Sequence, residues 1–231
     1  MDLKLHGKSA LVSGSTAGIG FAIARGLAQE GASVIITGRS VERVEGAIDK
    51  IQQSYPEAKV SGVVADLAKK QGAEQLFQQV PSIDILINNL GVFEPKAFSD
   101  ITDEDWFDIF EANVLSRVRL SRQYLPKMLE QDWGRIIFIS SESGVQIPVE
   151  MIHYGMTKTA QLSVARGLAE LTVGTQVTVN SVLPGPTRSE GVEDFLTKMA
   201  KERGISRSEV ETDFFKNIRP TSLNQTLCNN R

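Results

Sequence analysis

Residues 8–37 read KSALVSGSTAGIGFAIARGLAQEGASVIIT. Lys8–Ser13 is a short run with an apolar centre and a β-strand bias, and it leads into glycine. The turn Gly14-Ser15-Thr16-Ala17-Gly18-Ile19-Gly20 follows. Then Ile19, Ile23 and Leu27 recur four residues apart, the spacing of one helix face across Ile19–Glu30. Gly31 stands where helices commonly close, and Ser33–Thr37 (SVIIT) is a second apolar strand. The alternation continues outward from this unit. Helices are expected over Val41–Ser54 and Gln71–Val80, the second stopped at Pro81. A long helical region is expected over Asp103–Gln131, bent near Pro126, and a further helix over Tyr154–Leu171. Strands are expected at Val60–Ala65, Ile83–Ile87, Arg135–Ser140 (RIIFIS) and Gln176–Leu183. Several of these strands are apolar without polar alternation, which implies that both sheet faces are covered. The expectation is a single α/β domain spanning 1–231, built on a doubly wound, Rossmann-like parallel sheet.

Such a sheet hosts many chemistries, so the sites must decide the function. Glycines let the backbone turn tightly and approach a pyrophosphate, and the following helix offers unpaired N–H groups and a partial positive charge. The spacing here is G-x-x-x-G-x-G, which differs from the G-x-G-x-x-G dinucleotide fingerprint. No Gly-Lys-Ser/Thr follows, so the turn is not a P-loop. A glycine turn without a ligand is the plainer alternative, and its place between the first strand and first helix weighs against it. At the end of the second strand, where an acidic residue would bind a ribose 2′-hydroxyl, stands Arg39. A guanidinium suits a 2′-phosphate, so NADP is favoured over NAD. A solvated surface arginine is the other reading of Arg39.

Tyr154 and Lys158 are four apart at the start of an expected helix, which puts them on one face. A free phenol has a pKa near 10, and an adjacent ammonium lowers it, so the pair forms a tunable proton donor and acceptor. Taken alone, such a pair is more often an ordinary surface contact. Its surroundings change that reading. Ser140 and Ser141 end the fifth strand, Asn88-Asn89-Leu90-Gly91 ends the fourth, and Pro184-Gly185-Pro186-Thr187 follows the sixth. In an open parallel sheet these loops emerge on the edge where the glycine turn lies, and ligands bind at that edge.

The set Gly14-x-x-x-Gly18-x-Gly20, Asp66, Asn88-Asn89-x-Gly91, Asn113, Ser141, Tyr154-x-x-x-Lys158 and Pro184-Gly185 resembles the short-chain dehydrogenase/reductase family in order and spacing. The resemblance covers residue 5 to about 190 and weakens over 190–220. It implies hydride transfer between NADP(H), or alternatively NAD, and a carbonyl or secondary alcohol. In that scheme Tyr154 is the general acid and base, and Lys158 lowers its pKa and holds the nicotinamide ribose. Ser141, thirteen residues before Tyr154, binds the substrate oxygen, with Ser140 and Ser143 the weaker choices. Asn113 supports a water chain. The resemblance further implies cofactor contacts from Gly14, Ser15, Thr16, Gly18, Ile19, Gly20, Asp66, Leu67, Asn89, Gly91, Pro184, Gly185 and Thr187. Two positions depart from the family pattern: Leu90 replaces a small residue, and Ala17 stands where many NADP-using members carry a cation, leaving Arg39 as the main support for NADP.

The family continues with a further helix and a seventh strand, whereas Thr221–Arg231 reads TSLNQTLCNNR, without a strand pattern. The sixth strand is then expected to be an exposed sheet edge unless another element covers it. A cofactor-binding member with impaired catalysis is the alternative function that follows. Residues 190–218 read as two amphipathic helices forming a substrate lid, with Ser206-x-x-Glu209 a capping box for the second. Candidate pocket residues are Phe93, Glu94, Ser143, Val145, Met151 and residues of the 190s, and their mix of apolar and polar character does not choose a substrate.

With 41% hydrophobic and 23% charged residues, the chain has an ordinary globular balance. A net charge of −3 argues against nucleic acid as a partner. One cysteine, Cys228, allows no internal disulfide, and the two histidines, His6 and His153, suggest no zinc site. Met1-Asp2-Leu3-Lys4 lacks an apolar signal core, and no apolar run is long enough to span a membrane, so a cytoplasmic protein is expected. The resemblance implies a homodimer paired through the helices near 105–130 and 154–171. The tetramer contact that would use the seventh strand is doubtful. A methyltransferase on the same fold is argued against by Asn113, Ser141, Tyr154 and Lys158 together.

Overall fold

The computed structural model describes residues 3–188, 190–218, 222 and 227–229. Its main strands are β1 (Ser9–Val12), β2 (Ser33–Gly38), β3 (Val60–Val64), β4 (Ile85–Asn88), β5 (Gly134–Ile139) and β6 (Val177–Val182). They form one six-stranded sheet in the order β3-β2-β1-β4-β5-β6. Every neighbouring pair is parallel, with Ala10 opposite both Val34 and Ile85. The order follows from two halves wound in opposite directions from β1 and β4, as the alternating pattern implied.

The side-chain alternation of the strands sorts the core into two layers. Ala10, Val12, Ile36, Ile85 and Ile139 face α1 (Gly18–Gln29) and α2 (Val41–Ser54), which contribute Ala24, Ala28, Val44, Ala47 and Ile51. Leu11, Leu86, Ile136 and Phe138 face the other side. There α3 (Lys70–Gln79) supplies Leu76. On the same side α5 (Ser116–Glu130) supplies Leu120, Tyr124 and Met128, and α6 (Ile152–Glu170) supplies Ala165. Each large side chain so buried stabilises the fold by roughly 1.5–3 kcal/mol relative to exposure. Continuous apolar strands are therefore required, and β4 is buried at every position.

The expected long helix over Asp103–Gln131 is divided. Between α4 (Asp103–Phe110) and α5 lies a π turn, Glu111–Leu115. The irregularity falls at buried Asn113, while Pro126 sits inside α5. Thr102 and Asp105 cap α4 reciprocally, which fixes its start.

Beyond β6 the chain forms β7 (Thr187–Arg188), α7 (Glu190–Arg203) and α8 (Arg207–Asp213), followed by a π turn, Phe214–Ile218. The Ser206–Glu209 capping box is present. These elements hold their own apolar cluster of Leu196, Val210, Phe215 and Leu227. Arg188 ties them together through Glu193 and Glu211. The expectation that the last stretch holds no strand is corrected in part: β8 (Cys228–Asn229) pairs in parallel with β7 as a separate two-stranded ladder. Ladder pairing needs only backbone groups, so a polar stretch supplies it. Among the described residues β6 is the outer strand of the main sheet. Residues 1, 2, 189, 219–221, 223–226 and 230–231, including the rest of the Thr221–Arg231 stretch, lie outside the described residues. Among the described residues no helix is long and apolar enough to cross a membrane.

Candidate active site

Because the main strands are all parallel, their C-terminal ends share one edge, and a crevice opens where the winding reverses between β1 and β4. The glycine turn lies there. Gly14 and Gly18 adopt φ of 63° and 58°, a region that favours glycine. Gly20 serves a different need: a Cβ there would come within 2.4 Å of the Gly14 carbonyl and 2.5 Å of Asn89 Nδ2. Asn89 braces the turn from β4 by donating Nδ2 to the carbonyls of Ser13 at 3.0 Å and Gly14 at 2.9 Å. No side chain caps the N-terminus of α1.

The remaining expected cofactor residues divide by what their side chains do. Ser15 is fully buried; its hydroxyl donates to the Val12 carbonyl and accepts from the Thr37 amide, and its own amide donates to Thr37. Ser15 thus fixes the turn and points away from the crevice. Thr16 lies against Gly38, where a Cβ would meet the threonine methyl at 2.5 Å. Arg39 is exposed at the end of β2, with no ion pair among the described residues. Asp66 is half-buried and accepts from the Ala68 amide at 3.2 Å, whereas Leu67 turns its side chain into the core. Leu90 also packs on that core and touches Gly14, so the large residue is absorbed beneath the turn.

Next to this cradle is a cavity of about 470 Å³. Ile19, Asn89, Gly91, Pro184, Gly185 and Thr187 line its cradle side, and Ser141, Tyr154 and Lys158 line its base. Val192, Leu196, Met199 and Phe214 face them from the α7–α8 region. Phe93, Ser143 and Met151 also line it, as expected, but Glu94 and Val145 do not; both are exposed. The expected residues of the 190s are thus Val192, Leu196 and Met199, and Phe214 joins them from the π turn after α8.

Tyr154 and Lys158 occupy successive turns of α6, with Lys158 Nζ 5.4 Å from the Tyr154 ring centroid. Phe93 packs against the Tyr154 ring at 6.2 Å between centroids. Lys158 is buried and donates to the carbonyls of Ile139 at 3.2 Å and Ser140 at 3.1 Å. Burial pushes its pKa well below the ordinary lysine value, and the charge of Arg117 adds to that shift. Ser140 donates its hydroxyl to the Lys158 carbonyl, while the Ser141 hydroxyl accepts from the Ser143 amide at 3.1 Å and lines the cavity. The two serines are thereby distinguished, with Ser140 bracing α6.

Asn113 is fully buried outside the cavity lining. Its side chain accepts from Val92 N at 2.8 Å and donates to Val92 O at 2.9 Å and Thr157 Oγ1 at 3.1 Å. It therefore couples the loop after β4 to α6. Its carbonyl accepts from Gln161 Nε2 and from Arg117 Nη1. Arg117 and Gln161 were not expected from the sequence. The available signal was Arg117 three residues before Leu120 and seven before Tyr124, a cation on an otherwise apolar helix face.

The profile of the short chain dehydrogenase family matches residues 8–200. The uncharacterised oxidoreductase YvaG of Bacillus subtilis is 50% identical over 227 residues, covering 98% of this chain and 86% of that protein. The 3-oxoacyl-[acyl-carrier-protein] reductase FabG of Aquifex aeolicus is 38% identical over 189 residues, covering 80% of this chain and 76% of that protein. Among solved structures, L-sorbose reductase from Gluconobacter frateurii, complexed with NADPH and L-sorbose, is similar with a TM-score of 0.91 and 26% identity. That match covers 100% of this chain and 88% of that one.

Proposed function

The chain belongs to the short-chain dehydrogenase/reductase family, and on that premise we propose that it transfers a hydride between NADP(H) and a carbonyl or secondary alcohol, with Tyr154 as general acid and base. The observation that carries this reading is the single cavity in which Ser141, Tyr154 and Lys158 meet the mouth of the glycine cradle. The cradle suits a dinucleotide: Gly14 and Gly18 take the positive φ of the turn, Gly20 lets α1 pack directly against the Gly14 carbonyl and Asn89, and the uncapped first turn of α1 provides N–H groups for phosphate. NADP is favoured over NAD by exposed Arg39 and by the NADPH bound in the similar L-sorbose reductase. Gly14, Thr16, Gly18, Ile19, Gly20, Asp66, Asn89, Gly91, Pro184, Gly185 and Thr187 would hold it, with Ser15 and Leu67 contributing through backbone position.

The cofactor supplies or accepts hydride at the carbonyl carbon. The chain's own groups handle the oxygen. Ser141 donates to that oxygen as negative charge grows on it, and Tyr154 delivers its phenolic proton there. In the reverse direction the Tyr154 phenolate removes the alcohol proton. Asn113 acts by holding Val92 and Thr157 in register beside Tyr154. The α7–α8 region covers the substrate side and excludes water with Val192, Leu196 and Met199.

The walls indicate the class of substrate. They are largely apolar, and Glu142, Glu150 and Glu211 also line the cavity. Of its basic lining residues, Arg203 is paired with Asp213, and Lys158 donates to the Ile139 and Ser140 carbonyls with burial disfavouring its ammonium. An uncharged, largely apolar carbonyl suits this environment, and a small keto acid anion does not. Exposed Phe107 and Leu115 in the 103–130 region support pairing of two copies through that face. The test is NADPH oxidation across a panel of neutral ketones, keto esters and sugars, with NADH in parallel. Consumption of NADPH with at least one of them supports the proposal, and tight NADPH binding without turnover across the panel favours a catalytically impaired member.

A further inference from the structure

Leu227 is buried and belongs to one apolar cluster with Leu196, Val210 and Phe215. It also lines the cavity that holds Ser141 and Tyr154, as do Leu196, Met199 and Phe214. Val210 and Phe215 lie outside that lining. The cluster therefore has an inner part and a part that forms cavity wall, and Leu227 belongs to the wall. Its route there differs from that of its neighbours. Leu196 and Met199 ride on α7, and Phe214 follows α8, whereas Leu227 arrives from a later stretch and is fixed through its backbone. Its amide donates to Glu211 Oε1 at 3.2 Å, and Glu211 is itself held by Arg188 Nη2 at 3.3 Å. The next two residues, Cys228 and Asn229, pair with Thr187 and Arg188 in the β7–β8 ladder, and Thr187 lines the cavity as well. Ser222 donates its hydroxyl to Glu142 Oε2 at 3.0 Å, a second place where this late stretch meets the cavity wall.

We propose that Leu227 is a specificity-determining residue of the substrate site: its side chain, held in place by Glu211 and the β7–β8 ladder, limits the bulk of the group that a carbonyl substrate carries on that side of the cavity. The proposal rests on the reading of this cavity as the site of carbonyl reduction. A wall residue selects by bulk only if the space it fills stays open when it is trimmed. Here the backbone is pinned at Leu227 itself and at the two residues after it. The apolar partners Leu196 and Val210 are already packed, at 2% and 0% exposure, so little is free to move in. Trimming a side chain in such a setting leaves a hollow instead of a collapsed core. In an apolar pocket, a difference of a methylene or more changes discrimination between substrates by about tenfold or more.

The test compares two neutral ketones of different bulk, acetophenone and 4-tert-butylacetophenone, with NADPH. Leu227→Ala is expected to raise the kcat/KM ratio of the bulky to the small ketone by about tenfold, and Leu227→Phe is expected to lower it. The ratio is taken within one protein sample, so a smaller folded fraction scales both ketones alike and leaves it unmoved. Val210→Ala is the matched control, since it trims the same cluster behind the wall: a lower Tm with an unchanged ratio is expected. A ratio within about twofold of the parent in Leu227→Ala, or an equal shift in Val210→Ala, overturns the proposal. A second measurement needs no turnover. In a Tyr154→Phe background, with and without Leu227→Ala, the Kd of each ketone for the NADPH complex is read from the fluorescence of the bound cofactor. The Kd ratio is expected to move in the same sense. If it moves while the parent reduces neither ketone, the wall assignment stands and the proposed chemistry fails. Turnover with both ratios unmoved has the opposite meaning, and absence of any ketone binding overturns the wall assignment as well.

Discussion

Asn89 donates its side-chain amide to the carbonyl of Gly14 at 2.9 Å, joining the ends of β4 and β1 across 75 positions of sequence. This bond forms the floor of the cradle, and the α carbon of Gly20 rests on it.

Gly20→Ala is expected to break that arrangement, because its Cβ would meet the Gly14 carbonyl at 2.4 Å. A fixed backbone oxygen cannot give way cheaply, and overpacking of this kind costs about 1–3 kcal/mol. NADPH affinity, read by cofactor fluorescence, is expected to fall at least about tenfold. Gly26→Ala is the matched control: nothing lies within 4 Å, and the site is inside α1. It is expected to stabilise the protein by about 0.5–1 kcal/mol in thermal or denaturant unfolding, with cofactor binding unchanged. Equal effects of the two substitutions would contradict the close-approach argument.

Arg39→Ser is expected to weaken NADPH binding by about tenfold or more, the loss of one charge-assisted contact to a 2′-phosphate, while NADH binding stays within about twofold. Calorimetric titration of both cofactors checks it. Parallel losses for both would place Arg39 away from the 2′ position.

Substrate charge should matter. With Glu142, Glu150 and Glu211 in the cavity wall, a neutral 3-oxo ester is expected to exceed the corresponding 3-oxo acid anion in kcat/KM by at least about tenfold. Comparable values for the two would show that the wall carboxylates do not face the substrate.

Much of this was legible in the sequence because its signals are local. The glycine turn, the apolar strands and the caps at Ser206 and Gly31 depend on neighbours within a few residues, and the elements fall within a residue or two of expectation at most boundaries. The Tyr154–Lys158 pair is legible for the same reason. The break in the 103–131 helix was not. Its irregular turn is held by Asn113 bonded to Val92 and Thr157, partners 21 and 44 positions away. Arg117 escaped notice because its partners are carbonyls, which every residue carries, so only its place on an otherwise apolar helix face with Leu120 and Tyr124 marked it. The β7–β8 ladder was missed on the same ground, since backbone pairing left no hydrophobic pattern in Thr187–Arg188 or Cys228–Asn229.

The account rests most heavily on the Tyr154 phenol. The direct measurement is single-turnover NADPH oxidation with a reducible carbonyl, made side by side on the parent protein and Tyr154→Phe, with the NADPH Kd measured on both. The expected result is an unchanged Kd within about twofold and a hydride-transfer rate reduced by at least about 10² in the variant. A variant that binds NADPH and reduces the carbonyl at the parent rate would contradict the assignment of Tyr154 as the proton donor.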